Sequence, residues 1–132
     1  MNRTIQNSLL GGAAGVVTYF LGGWDIVLQV LVTLIVLDYV TGVIAGYIQK
    51  ELSSKTGFIG IVKKVSILIL VTVAVTVDRL AGTDMIRVAT CLFFIGNEGI
   101  SVLENCAGIG IQIPEKLLLA LKQLKSEGDT DE

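Results

Sequence analysis

Asn97-Glu98-Gly99-Ile100-Ser101-Val102-Leu103-Glu104-Asn105 lies inside a long apolar segment that runs from about Ile86 to Ile113. On a helix at about 100° per residue, Thr90, Asn97, Ser101, Glu104 and Gly108 fall in one narrow stripe, and Glu98 and Asn105 widen it to about a third of the circumference. Leu92, Ile95, Val102, Leu103, Cys106 and Ala107 take the other side. A helix of membrane length with carboxylates and amides on one face must turn that face to protein or to water, because hydrocarbon offers no hydrogen-bonding partner. The prediction is an all-α, polytopic membrane protein in which the remaining segments build this helix into a bilayer.

Composition points the same way. The chain has 132 residues, 52% of them hydrophobic and only 17% charged, with a mean hydropathy of +0.75. A soluble domain carries about a quarter charged residues. The net charge of -2 comes from clusters separated by long uncharged runs. There is no basic patch suited to nucleic acid and no phosphate-binding or dinucleotide motif. With no histidine, and with carboxylates that have no nucleophile or soft ligand beside them in sequence, neither catalysis, a metal nor a cofactor is expected. Cys91 and Cys106, about 22 Å apart on one helix, are too distant to bridge and read as small apolar residues, with an intermolecular disulfide as the alternative.

Outward from this helix, the chain reads as a single membrane domain, 1–132, with spans at about 6–23, 26–48, 62–80 and 86–112, an amphipathic helix at about 114–126 and an acidic tail at 127–132. The first run is short for a crossing and lacks a small-residue cleavage site followed by a soluble body, so it counts as a fourth span only if its polar start is included. Gly11 and Gly15 in that run, and Gly42 and Gly46 in the next, put small residues where helices approach closely. Gly22-Gly23-Trp24-Asp25 is a turn with a solvated aspartate. Asp38 stands near the middle of the clearest span, where a bare carboxylate costs about 2.5–3.5 kcal/mol on insertion scales.

Residues 49–64 form the longest polar stretch, made irregular or surface-lying by Gly57 and Gly60. Its lysines, Lys50, Lys55, Lys63 and Lys64, mark a cytoplasmic boundary by the positive-inside rule. With four spans both termini are cytoplasmic; with three, only Arg3 changes side. Residues 78–87 read as a short charged loop. Beyond Pro114, Leu117, Leu118, Leu121 and Leu124 face one way, giving a helix that lies on the membrane surface or pairs with copies of itself.

Two readings of the membrane-depth polar residues stay open. One is a packed bundle with internal hydrogen bonds, Asp38 against Thr90 or Asn97, and Glu104 against Asn105 of a neighbour. The other is a switchable stripe that pairs helices in a small cluster and lines water in a larger assembly, as a wide lesion or a narrow cation or proton path.

Four blocks carry a family resemblance: Leu37-Asp38-Tyr39-Val40-Thr41-Gly42, then Leu52-Ser53-Ser54-Lys55-x-Gly57-Phe58-x-Gly60-x-x-Lys63-Lys64, then Asn97 to Asn105, then Pro114-Glu115-Lys116-Leu117. In this order and spacing, from about Leu37 to Lys125, the chain resembles the toxin-secretion/phage-lysis holin family. The resemblance implies a non-enzymatic protein of the bacterial inner membrane that contacts lipid, associates with itself, and opens lesions through which an endolysin or a toxin passes. It implies no catalytic residues. The expectation is that Asp38, Thr90, Asn97, Glu98, Ser101, Glu104 and Asn105 carry inter-helix contacts and pore lining.

Overall fold

The computed structural model describes residues 2–129. Among them the chain forms five helices: α1 (Arg3–Phe20), α2 (Ile26–Ile48), α3 (Ser54–Ala81), α4 (Met85–Gly108) and α5 (Glu115–Gly128). The part of the expected acidic tail from Thr130 onward lies outside the described residues.

Local chemistry sets most of the boundaries. The Asn2, Asp25 and Ser53 side chains accept from the backbone N–H groups of Thr4, Leu28 and Thr56 at 3.0, 3.1 and 3.1 Å, which caps α1, α2 and α3. Gly82 ends α3 in the left-handed conformation, at φ 74°. Asp84 at the start of α4 makes no side-chain cap bond. Asp78, from the last turns of α3, accepts instead from the N–H groups of Ile86 and Arg87 at 3.1 and 2.7 Å and from the Thr83 hydroxyl at 2.7 Å. Residues 78–87 are thus mostly helical, and only a short turn separates α3 from α4.

α2, α3 and α4 are long and apolar enough to cross a membrane; α1 is not among them. Among the described residues, three helices rather than four meet this requirement. α1 begins with Arg3, Gln6 and Asn7, and a Cβ placed at Gly11 or Gly15 has nothing within 4 Å, so their expected packing role finds no partner among the described residues. Its end is tied to α3, where Arg79 stacks 3.9 Å from the Tyr19 ring centroid and donates to the Tyr19 carbonyl at 2.5 Å.

α2 and α4 pack directly on each other and run parallel, with Gln49 at the end of α2 donating to the Gly108 carbonyl at the end of α4 at 3.1 Å, while α3 runs antiparallel to both and packs mainly on α4. Leu28, Leu31 and Ile35 of α2 meet Ile67, Val71 and Val75 of α3 and Cys91 and Ile95 of α4 in one apolar core. Ser66, Thr72, Thr76 and Thr90 return their hydroxyls to carbonyls one turn back, which lets them sit in apolar surroundings without another partner.

Two expectations change. The stretch 49–64 is helical from Ser54 onward, because Gly57 and Gly60 pack against Tyr39 of α2 (Oη 3.4 Å and Cε2 3.6 Å from a Cβ placed there) and continue α3 instead of breaking it. α5 neither extends along a surface nor stands free for a partner. It doubles back along α4, with Leu121 against Gly99 and Lys125 against Gly96, because those glycines leave a groove into which the apolar side of α5 fits.

Candidate functional site: an ionic cluster at mid-depth

The polar residues converge where α2, α3 and α4 meet at mid-height. Asp38 is buried on α2, at 7% exposure, and Glu98 on α4, at 3%. Between them, from α3, comes Lys64. Its ammonium donates to Asp38 Oδ2, and to Glu98 Oε2 at 2.6 Å. Asn105, two turns beyond Glu98, donates through Nδ2 to Asp38 Oδ1 at 3.0 Å, to the Asp38 carbonyl at 3.2 Å and to Thr41 Oγ1 at 2.9 Å. Two carboxylates on different helices thus share one ammonium, and an amide holds one of them from its other side.

The spacing explains why these residues meet. Glu98, Ser101 and Asn105 lie at i, i+3 and i+7 on α4, one face of a helix turned toward Asp38. Gly42, one turn along α2, has Asn105 Nδ2 at 3.6 Å from a Cβ placed there, so the two helices approach closely at this point. Gly46 instead meets Leu52 of the following turn, at 3.6 Å. A pocket of about 440 Å³ opens beside the cluster, and Asp38, Gly42, Lys64, Ser101 and Asn105 are among its lining residues.

The rest of the stripe divides. Thr90 bonds only its own turn and borders a separate pocket with Phe93 and Phe94. Asn97 is half-buried and Glu104 exposed, and neither joins the cluster. The packing partners of Asp38 are therefore Lys64 and Asn105, not Thr90 or Asn97. Lys64 does not mark a boundary with Lys50 and Lys55: it lies inside the bundle, while Lys63 beside it is exposed. A lone ammonium is too costly to bury, whereas one shared by two carboxylates keeps both its charge and its donors satisfied.

A second network, absent from the sequence expectations, closes the opposite end of the bundle. Arg87, 5% exposed, donates from Nε to the Leu21 carbonyl at 2.7 Å and from Nη2 to the Gly23 carbonyl at 3.1 Å. It grips Asp25 with both Nη atoms, at 2.8 and 3.0 Å. Asp25 is thus a paired residue rather than merely a solvated one, and the guanidinium holds its carboxyl below the usual carboxylate range. The turn passes so close to Arg87 that a Cβ on Gly22 (φ 84°) would strike the arginine side chain. The available signal was an arginine in the first turn of an apolar helix, a residue that demands acceptors.

Comparison with known proteins gives one family. Residues 15–126 match the model of the bacteriophage holin family. An uncharacterized 14.9 kDa protein of Clostridium perfringens is 54% identical over 112 residues, 83% of this chain and 85% of the relative. An uncharacterized protein of Listeria innocua is 44% identical over 135 aligned positions, covering 100% of this chain and 95% of the relative. A probable holin of Bacillus phage phi105 is 36% identical over 103 residues, 77% of this chain and 76% of that one. No solved structure matches.

Proposed function

The chain belongs to the bacteriophage holin family, and from that premise we propose that it assembles with copies of itself in the bacterial inner membrane and opens lesions there. The lesions collapse the membrane potential and let a cytoplasmic endolysin reach the cell wall; a toxin is the alternative cargo. The carrying observation is the family match over most of a chain that has three membrane-length helices. The turn after α2, with Lys50 and Lys55 near it, lies on the cytoplasmic side by the excess of positive charge.

The geometry supports a division of labour. Asp38, Lys64, Glu98 and Asn105 satisfy one another inside one chain, which leaves the outer wall of α2 uncharged at mid-depth and Lys63 as the exposed charge on α3. Glu104, exposed on α4, makes no ion pair among the described residues and is the member of the stripe free to meet another copy or water.

The test is controlled expression in bacteria, with and without a co-expressed muralytic enzyme that lacks an export signal, while potential and turbidity are followed together. Sudden depolarisation, with rapid lysis only when the enzyme is present, is the expected result. Depolarisation without enzyme-dependent lysis would mean a narrow ion channel, and neither event despite verified insertion would mean an inhibitory partner.

A further inference from the structure

The outer walls of the bundle differ in kind. On α3, beyond Lys63, the exposed residues Val65, Ile69, Leu70 and Val73 form an apolar stretch suited to lipid. On α5 the exposed side chains include Lys116, Lys122, Gln123 and Glu127. Yet α5 does not lie beyond the spans. Leu121 rests on Gly99, Lys125 on Gly96, and Gly128 on Ala89 and Phe93, so the second half of α5 runs beside the first and middle turns of α4. A Cβ on Gly96 would stand 2.5 Å from Lys125 Cβ and 2.6 Å from the Leu121 carbonyl oxygen, so the helices touch backbone to backbone.

That placement sets a problem that lipid cannot solve. Leu121 sits opposite Gly99, about 13 Å along the axis from the end of α4, and Lys122 follows it. A lysine stem does not reach the interface from there. A lysine facing hydrocarbon near the centre of a span costs about 2.5–3.5 kcal/mol on insertion scales. The face therefore requires water or protein.

We propose that the outer face of α5 looks into an aqueous lumen enclosed by several copies of this chain, and that α5 stays on α4 when the lumen opens. The proposal rests on the lesion-forming reading above and assigns the wetted surface to α5, with the part of α3 from Val65 to Val73 turned to lipid.

The test uses purified full-length protein in liposomes loaded with a fluorescent dextran. In a Gly99→Cys/Leu121→Cys chain, a Cβ at position 99 lies 3.3 Å from the present Leu121 Cγ, close to where the sulfur of a cysteine at 121 sits, so oxidation bridges α5 to α4 with little movement. The oxidised chain should release dextran as the reduced one does. In separate chains that, like the bridged one, also carry Cys91→Ala and Cys106→Ala to remove the native thiols, Lys122→Cys should react with a charged, membrane-impermeant thiol reagent roughly tenfold or more faster than Ile69→Cys, because the reactive thiolate needs water. Release lost on oxidation and regained on reduction would overturn the proposal, since α5 would then have to leave α4. So would a Lys122→Cys chain that releases dextran but labels no faster than Ile69→Cys. Both failures occur in protein that still forms lesions. A parent chain that releases nothing would instead sink the lesion-forming reading, and the lumen with it.

Discussion

Two ionic networks hold this bundle, and they are built differently. At mid-depth, Lys64 joins Asp38 and Glu98, so the contact runs side chain to side chain between three helices. At the end of the bundle, Arg87 mostly grips backbone carbonyls and the half-exposed Asp25. In the first, both carboxylates are buried and share one ammonium, so its strength depends on every member. The second sits where solvent can replace a lost partner. Position along the bundle, more than the number of charges, therefore decides how much each network contributes.

Removing the ammonium gives the largest effect. Lys64→Met leaves two buried carboxylates facing each other and should destabilise the detergent-solubilised protein by about 3–5 kcal/mol, the usual consequence of breaking a buried pair from one side. Lys63→Met, on the exposed neighbour, should stay within about 0.5 kcal/mol. Thermal unfolding followed by circular dichroism measures both, and equal losses would erase the contrast between the cluster and the surface.

Arg87→Met is the next step down. It strips the Leu21 and Gly23 carbonyls and Asp25 of their donor, but water reaches Asp25, whose side chain is 48% exposed. The expected loss is about 1–3 kcal/mol. Combined with Lys64→Met it should add with little coupling, because Arg87 and Glu98 are about 16 Å apart along α4. Strong non-additivity would mean that the two networks act as one.

The smallest effect is one of pH. Arg87 lowers the Asp25 pKa below its unfolded value, so the stabilisation is complete above the ordinary carboxylate range and fades as pH falls through the lowered folded value. Asp25→Asn should flatten that acid-side slope and remove, near neutral pH, the stabilisation that the pair contributes there. An unchanged slope in Asp25→Asn would assign the acid sensitivity to other carboxylates.

Much of this was legible in the chain. The span at 26–48 coincides with α2, because its apolar run is bounded by an aspartate cap and a polar exit. Asp38, Glu98 and Asn105 stood out as polar residues within apolar helices, and they do meet. Their partner was hidden. Lys64 closes a run of lysines, and by sequence it is indistinguishable from Lys63, since one step along a helix turns a side chain by about 100°. The edges of the stripe were equally ambiguous: Asn97 and Glu98 are neighbours, yet only Glu98 turns inward.

Hydropathy, periodicity and capping belong to single segments. By themselves they determined an all-helical membrane chain, the second span, an amphipathic last helix and the candidate polar residues. Which edge of α4 faces Asp38, which lysine enters the bundle, and where α5 docks depend on contacts between segments far apart in sequence. Those were decided only by tertiary packing: Gly42, Gly96 and Gly99 let particular helix faces come together, and a buried charge accepts only the geometry that supplies its counter-charge.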